Sequence, residues 1–221
     1  MEEIMHGLNR ISTGLLGVLL VFLCLMHTES RAAAPKTIVE LWNEVKAPEP
    51  VELTAVKFDP ATTAFLVLDI EQLTCNDERR PRCVASVPSI GAFLERARSR
   101  GVFIAYSMTP KGEPGSILAG VQPAGNEPIV RSSVDKFFGT DLEKILREHH
   151  IETVVIVGTA AEGAVLHTAT AAAMRGFKVV VPIDGMSAAT LYAEQYTAWH
   201  LLNAPGTKGK TNMTTFAMIE L

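Results

Sequence analysis

From Thr63 onward, apolar runs of strand length alternate with segments of helical period, and that order admits few folds. Six runs read as strands: Thr63–Asp69 (TAFLVLD), Val102–Ser107, Pro128–Arg131, Thr153–Val157, Phe177–Ile183 and Asn212–Met218. Between them, Val84–Arg100 carries Val84, Val87, Ile90, Phe93, Leu94 and Ala97 on one helical face. Glu162–Arg175 and Ala188–Asn203 also read as helices, and Thr140 starts another with Leu142, Ile145 and Leu146 as its apolar positions. Gly101 and Gly176 stand where a helix-ending glycine belongs. Strands that are apolar throughout are covered on both faces, and helical connections make neighbouring strands parallel. The expected fold is a doubly wound α/β domain: a mostly parallel six-stranded sheet with helices on both faces, Rossmann-like in outline. Such sheets bind ligands at the carboxyl ends of their strands, where the strand order reverses. Asp69, ending the first strand, and Gly158–Ala164 (GTAAEGA), after the fourth, matter for that reason.

The chain is 48% hydrophobic, which excludes disorder, and its net charge of −4 offers no basic stripe to nucleic acid. Part of the apolar content is local. Ile11–Met26 runs for 16 residues without a charge. As a helix it rises about 24 Å, short of the ~30 Å hydrocarbon core. Arg10 precedes it and Ser30-Arg31-Ala32-Ala33-Ala34 follows, the basic, apolar, small order of an export signal. Residues 1–32 are expected to be a signal peptide cut after Ala32 or Ala33, with an uncleaved membrane anchor as the alternative. The protein is then periplasmic or extracellular. Glu2 and Glu3 leave the leading region near neutral, and initiation at Met5 would remove both. Residues 33–60, rich in Pro, Glu and Lys, read as an extended arm, and 61–221 as the domain.

After cleavage Cys75 and Cys83 remain, eight positions apart. An exported chain can oxidise them, so a disulfide is expected, against two unpaired thiols. No His/Cys cluster accompanies them, and neither metal nor cofactor is expected. Residues 110–128 hold Gly112, Gly115, Gly120 and Gly125 with several prolines. A loop of that length in a compact domain is usually functional.

Three segments, taken together, resemble the isochorismatase-like hydrolase superfamily, also called the cysteine hydrolases. Its first strand ends apolar-apolar-apolar-D-M-Q, here Leu66-Val67-Leu68-Asp69-Ile70-Glu71. Its third reads K-x-x-x-S-A-F-x-G-T-x-L, here Arg131 to Leu142 (RSSVDKFFGTDL). Its fourth strand and turn read G-x-x-T-x-x-C-V-x-x-T-A, here Gly158 to Ala169 (GTAAEGAVLHTA). The resemblance spans about residues 60–205.

The resemblance implies a catalytic Asp, Lys and Cys, and carries them onto Asp69, Arg131 and Ala164. A methyl group cannot attack a carbonyl, so thiolate acyl chemistry is expected to be absent. The isochorismatases proper also lack the Cys and share Ala at the position of Ala161. They hydrolyse a vinyl ether with the Asp as general acid, and a strand-end carboxyl with a raised pKa suits that work. Arg131 is expected to pair with Asp69. Lys136, where the family has Ala, either supplies the missing ammonium or caps a helix face. Phe137, Ala160, Ala161 and Glu162 complete the expected substrate-binding set. The N–H groups of Ala160 and Ala164 are expected to face a developing oxyanion. Glu162 is either a second carboxylate beside Asp69 or an ordinary first-turn Glu favoured by the helix dipole.

His167 is expected to pack in the core. Asp184 and Ser187, after the fifth strand, are expected at the pocket rim. The expected partner is a small-molecule substrate or ligand, not nucleic acid, and a membrane only through an uncleaved leader. The family resemblance implies a homo-oligomer. Two functions follow: an exported hydrolase using Asp69 without a Cys nucleophile, or a non-catalytic binding member of the same fold.

Overall fold

The computed structural model describes residues 34–221. The expected signal peptide lies outside the described residues. The chain divides into two units after Ala47. In the first, Ile38–Leu41 forms a short helix, α1, followed by a 3-10 turn.

The second unit is built on a parallel sheet. Its strands include β2 (Thr63–Leu68), β3 (Phe103–Met108), β4 (Ile129–Arg131), β5 (Thr153–Thr159), β6 (Lys178–Pro182) and β8 (Thr211–Thr214). They lie in the order β4-β3-β2-β5-β6-β8, with every pairing parallel. The order runs one way from β2 to β4 and the other way from β5 to β8, so the reversal falls between β2 and β5. A seventh strand corrects the expected six: β7 (Met186–Ser187) pairs with the end of β5, Gly158 to Met186 and Thr159 to Ser187. Two residues carry too little pattern to be read as a strand in sequence.

Alternation along each strand feeds two cores. Leu66, Leu68, Val154, Ile156, Val179 and Val181 face α3 (Leu142–Glu148), α4 (Leu166–Met174) and α5 (Leu191–Asn203). Phe65, Val67, Val155, Val157 and Val180 face Ile90, Phe93, Leu94 and Ala97 of α2 (Pro81–Ser99). α2 begins three residues before the expected Val84, because Pro81 has the φ and the missing N–H that suit a first helical position.

The arm boundary also moves. β1 (Val56–Lys57) pairs with β9 (Ile219–Glu220), the Thr54 N–H donates to the Met213 carbonyl at 2.9 Å, and Val51 and Leu53 pack on the core. The compact unit therefore starts by Pro48 rather than at residue 61. Short strands at an edge escape a reading based on apolar runs. The expected last strand is likewise divided, with β8 followed by a 3-10 turn at Phe216–Met218 before β9.

Cys75 and Cys83 are joined as a disulfide with Cα atoms 5.4 Å apart, both buried against the α2 core. Closing a loop this short restricts the unfolded chain by about 2.5 kcal/mol. Replacing both cysteines with alanine should lower stability by at least about that amount, read as a smaller midpoint in denaturant.

Candidate active site

At the reversal the ends of β2 and β5 come very close. Gly158 has φ +128°, and a Cβ there would lie 2.0 Å from the Leu68 carbonyl oxygen. Only glycine allows that approach. It sets Asp69, the next residue on the first chain, beside the turn that follows Thr159. Asp69 itself is left-handed, with φ +54°. That conformation is costly for most side chains but accessible to Asp and Asn. Its N–H is held by the Ser107 carbonyl at 3.1 Å, and the Thr74 hydroxyl donates to its carbonyl.

The side chain of Asp69 is 7% exposed, and its carboxyl is held at both oxygens. The Ser107 hydroxyl donates to Oδ1 at 2.7 Å, and the Lys136 ammonium donates to Oδ2 at 2.8 Å. Lys136 is fully buried, and its other two protons go to the carbonyls of Ser132 (3.0 Å) and Ser133. All three donors of the ammonium are used. Burial pushes the Asp69 carboxyl above the ordinary range. The Lys136 charge and the hydrogen bonds from Lys136 and Ser107 pull it back, and Glu71 adds to the rise.

This geometry corrects the assignment of Arg131. Arg131 ends an edge strand with its side chain exposed, and it forms no ion pair among the described residues. The cation that holds Asp69 is Lys136, five positions later, after the chain turns inward from β4. Lys136 is therefore a positioning residue, with no proton left to offer a substrate. Phe137 is corrected too. Its ring stacks on Phe177 at 6.0 Å under the Arg175 guanidinium and is buried in the core.

The turn after β5 departs from the expected α-helix. Ala161–Val165 is a π-helical turn that leads into α4. Such turns are frequent at functional sites. The Ala160 carbonyl accepts from the N–H groups of Gly163 (3.0 Å) and Val165 (3.2 Å). Ala164 is 3% exposed and Ala161 is fully buried. Glu162 lies half-buried on the turn with a buried oxygen that has no partner.

The Gly/Pro loop folds back over the residues after Asp69. Glu71 bridges to Ile117, the Gln72 N–H donates to the Ser116 carbonyl, and the Leu118 N–H donates to that of Ile70. Glu71 is fully buried; its Oε1 accepts from the backbone and hydroxyl of Thr109, and Gly112 leaves room for its Oε2. The loop thus belongs to the site's wall.

His167 is exposed on α4, not packed in the core. Asp184 is spent locally, accepting the Phe216 N–H at 3.1 Å. Among the described residues no three His, Cys, Asp or Glu side chains gather as a metal site. Sequence reasoning passed over Ser107 and Arg80. Ser107 was findable, because it ends the strand next to Asp69 and the carboxyl-end rule applies to it equally. Arg80 sits inside the disulfide loop, where no local pattern marks it.

The Isochorismatase domain model matches residues 63–211, most of the chain. The chain belongs to the isochorismatase family. Among solved structures, this family member is similar to an isochorismatase-like hydrolase from Alkaliphilus metalliredigens, with 26% identity and a TM-score of 0.63 over 70% of this chain and 94% of that one. It is also similar to the nicotinamidase from Staphylococcus aureus, with 26% identity and a TM-score of 0.58 over 66% and 95%. Among curated proteins, streptothricin hydrolase from Streptomyces noursei is 28% identical over 55% of this chain and 52% of its own length. The isochorismatase-family chain spans about half that relative's length.

Proposed function

We propose that this chain is an exported hydrolase of a small molecule, with Asp69 as general acid and no thiol nucleophile. The observation that carries the reading is the buried Asp69 carboxyl, gripped by Ser107 and Lys136 at the point where the strand order reverses. A carboxyl raised by burial keeps its proton to higher pH and can deliver it to a substrate. Once the proton leaves, Lys136 stands 2.8 Å away to stabilise the carboxylate. Water then completes the cleavage, since Ala164 stands at the nucleophile's position. Similarity to a streptothricin hydrolase and to an N-carbamoylsarcosine amidase supports the reaction class. Export rests on the leader sequence, and assembly into a homo-oligomer on the family resemblance.

The test is turnover of a panel of vinyl ethers, amides and esters, followed across pH. A general acid works only while protonated, so kcat/KM should fall as pH rises through the Asp69 pKa. That limb should lie above the ordinary aspartate value of about 3.9. A limb that rises with pH instead makes Asp69 a base. The methyl group of Ala164 favours the second reading, a non-catalytic binder, and absence of turnover across the whole panel supports it.

A further inference from the structure

The arm ahead of the second unit presents an apolar face to solvent. Ile38, Leu41, Trp42 and Val45 follow the i, i+3, i+4, i+7 spacing of one helical side. Ile38, Val39, Trp42 and Val45 are exposed, Trp42 at 70%. The α1 turn itself is well made. The Thr37 N–H and hydroxyl both donate to the Glu40 carboxylate, at 2.8 and 2.9 Å, closing the helix start. A helix of four residues does not hold in water by itself, and short helices are kept by packing of their apolar side. A shaped segment with that side uncovered needs a surface to pack on.

The second unit carries a surface of matching chemistry. A groove of about 610 Å³ is lined by residues 48–51 and Leu53 together with α5, Ile183 and Met186. Leu191, Tyr192 and Trp199 of α5 line it and are exposed, Tyr192 at 73%. Clustered aromatic side chains left in solvent mark an interaction surface. The groove's cation is already engaged: Arg82 donates to both oxygens of Glu194 at 2.8 and 2.6 Å, and the Ala188 N–H donates to the same carboxylate. An anionic small molecule finds no free cation there, whereas an apolar side chain finds several neighbours.

The covalent path of the chain selects the occupant. The groove's lining starts at Pro48, three residues after Val45. Ala47 and Glu49 each precede a proline, which biases both toward extended conformations. Residues 45–50 are neither helix nor strand, and a proline-rich link of this kind is stiff and advances about 3.1 Å per residue. To enter the groove of its own chain, α1 would have to reverse direction inside that link. A second copy requires no reversal. We infer that the arm of one copy seats Ile38, Trp42 and Val45 in the groove of a second copy, and that the exchange is reciprocal. Reciprocity closes the pair with two-fold symmetry and buries the contact twice. The inference is independent of the chemistry at Asp69.

Sedimentation velocity of the protein from residue 33 onward, which keeps every described residue, tests it. The parent should be a dimer at micromolar concentration. Trp42→Ser with Val45→Ser removes the arm's anchors, and Tyr192→Ser with Trp199→Ser removes the groove's. Each pair of substitutions should weaken dimerisation at least about tenfold, as truncation of interface aromatics does. All four side chains are at least partly in solvent, so the denaturant midpoint of the monomer should hold. The two variants mixed in equal amounts should associate more tightly than either alone, because the mixed pair regains one intact arm in one intact groove. A monomeric parent, a dimer indifferent to both pairs of substitutions, or a mixture no more associated than its components would overturn the inference. Association is read without turnover, so neither result bears on the acid role of Asp69.

Discussion

Asp69→Asn should lower kcat/KM by about 10²–10⁴-fold on whichever substrate of the panel is turned over, the usual worth of a positioned general acid. The variant keeps the shape of the site but leaves the buried Lys136 charge without its counter-ion, so the folded fraction is measured alongside the rate. Asn is nearly isosteric with Asp and shares its tolerance of the left-handed backbone at φ +54°. Ser107 and Lys136 still find a polar side chain between them. What disappears is the titrating proton. The falling limb of the pH profile should therefore vanish together with the rate, while KM changes little. Turnover that survives the substitution with its pH limb intact removes Asp69 from the reaction.

Lys136→Met should cost about 3–5 kcal/mol of stability at neutral pH, the range for stripping one partner from a buried ion pair. Methionine fills much of the same volume, so the loss is electrostatic. Asp69 would be left at 5% exposure with only Ser107 as a partner, and the carbonyls of Ser132 and Ser133 would lose their donor. The pH dependence gives the sign. A carboxyl whose pKa is raised by folding binds its proton more tightly in the folded state. Its penalty is absent below the unfolded value of about 3.9 and grows as pH rises through the folded one. Without Lys136 the folded pKa climbs further, so the variant should recover toward the parent as pH falls. Arg131→Gln is the matched control. With its side chain in solvent, it should shift stability by under about 0.5 kcal/mol. Denaturant melts of both variants at several pH values read the contrast, and equal destabilisation would return Arg131 to the site.

The sheet was legible because its signals are local. TAFLVL is buried at every residue, and no amphipathic alternative fits it. Asp69 was legible for the same reason, since the carboxyl-end rule needs only the strand and its last residue. The lysine was not. Matching by column gives its role to Arg131, but the ammonium reaches Asp69 from Lys136, which the turn after β4 carries inward while Arg131 stays at the sheet's edge. Side-chain length and chain direction decide that, and a spacing pattern encodes neither.

The sulfur bridge has a bearing on timing. Cys75 and Cys83 are 1% and 0% exposed, and exchange with a thiol needs an open approach to sulfur. Once the domain is folded, a reductant in the surrounding medium meets no target. The bond is made while the chain is still open, and it then holds the segment bearing Arg80 for the life of the molecule. Redox conditions during maturation therefore decide how residues 75–83 are held, and those met afterwards find the sulfurs covered.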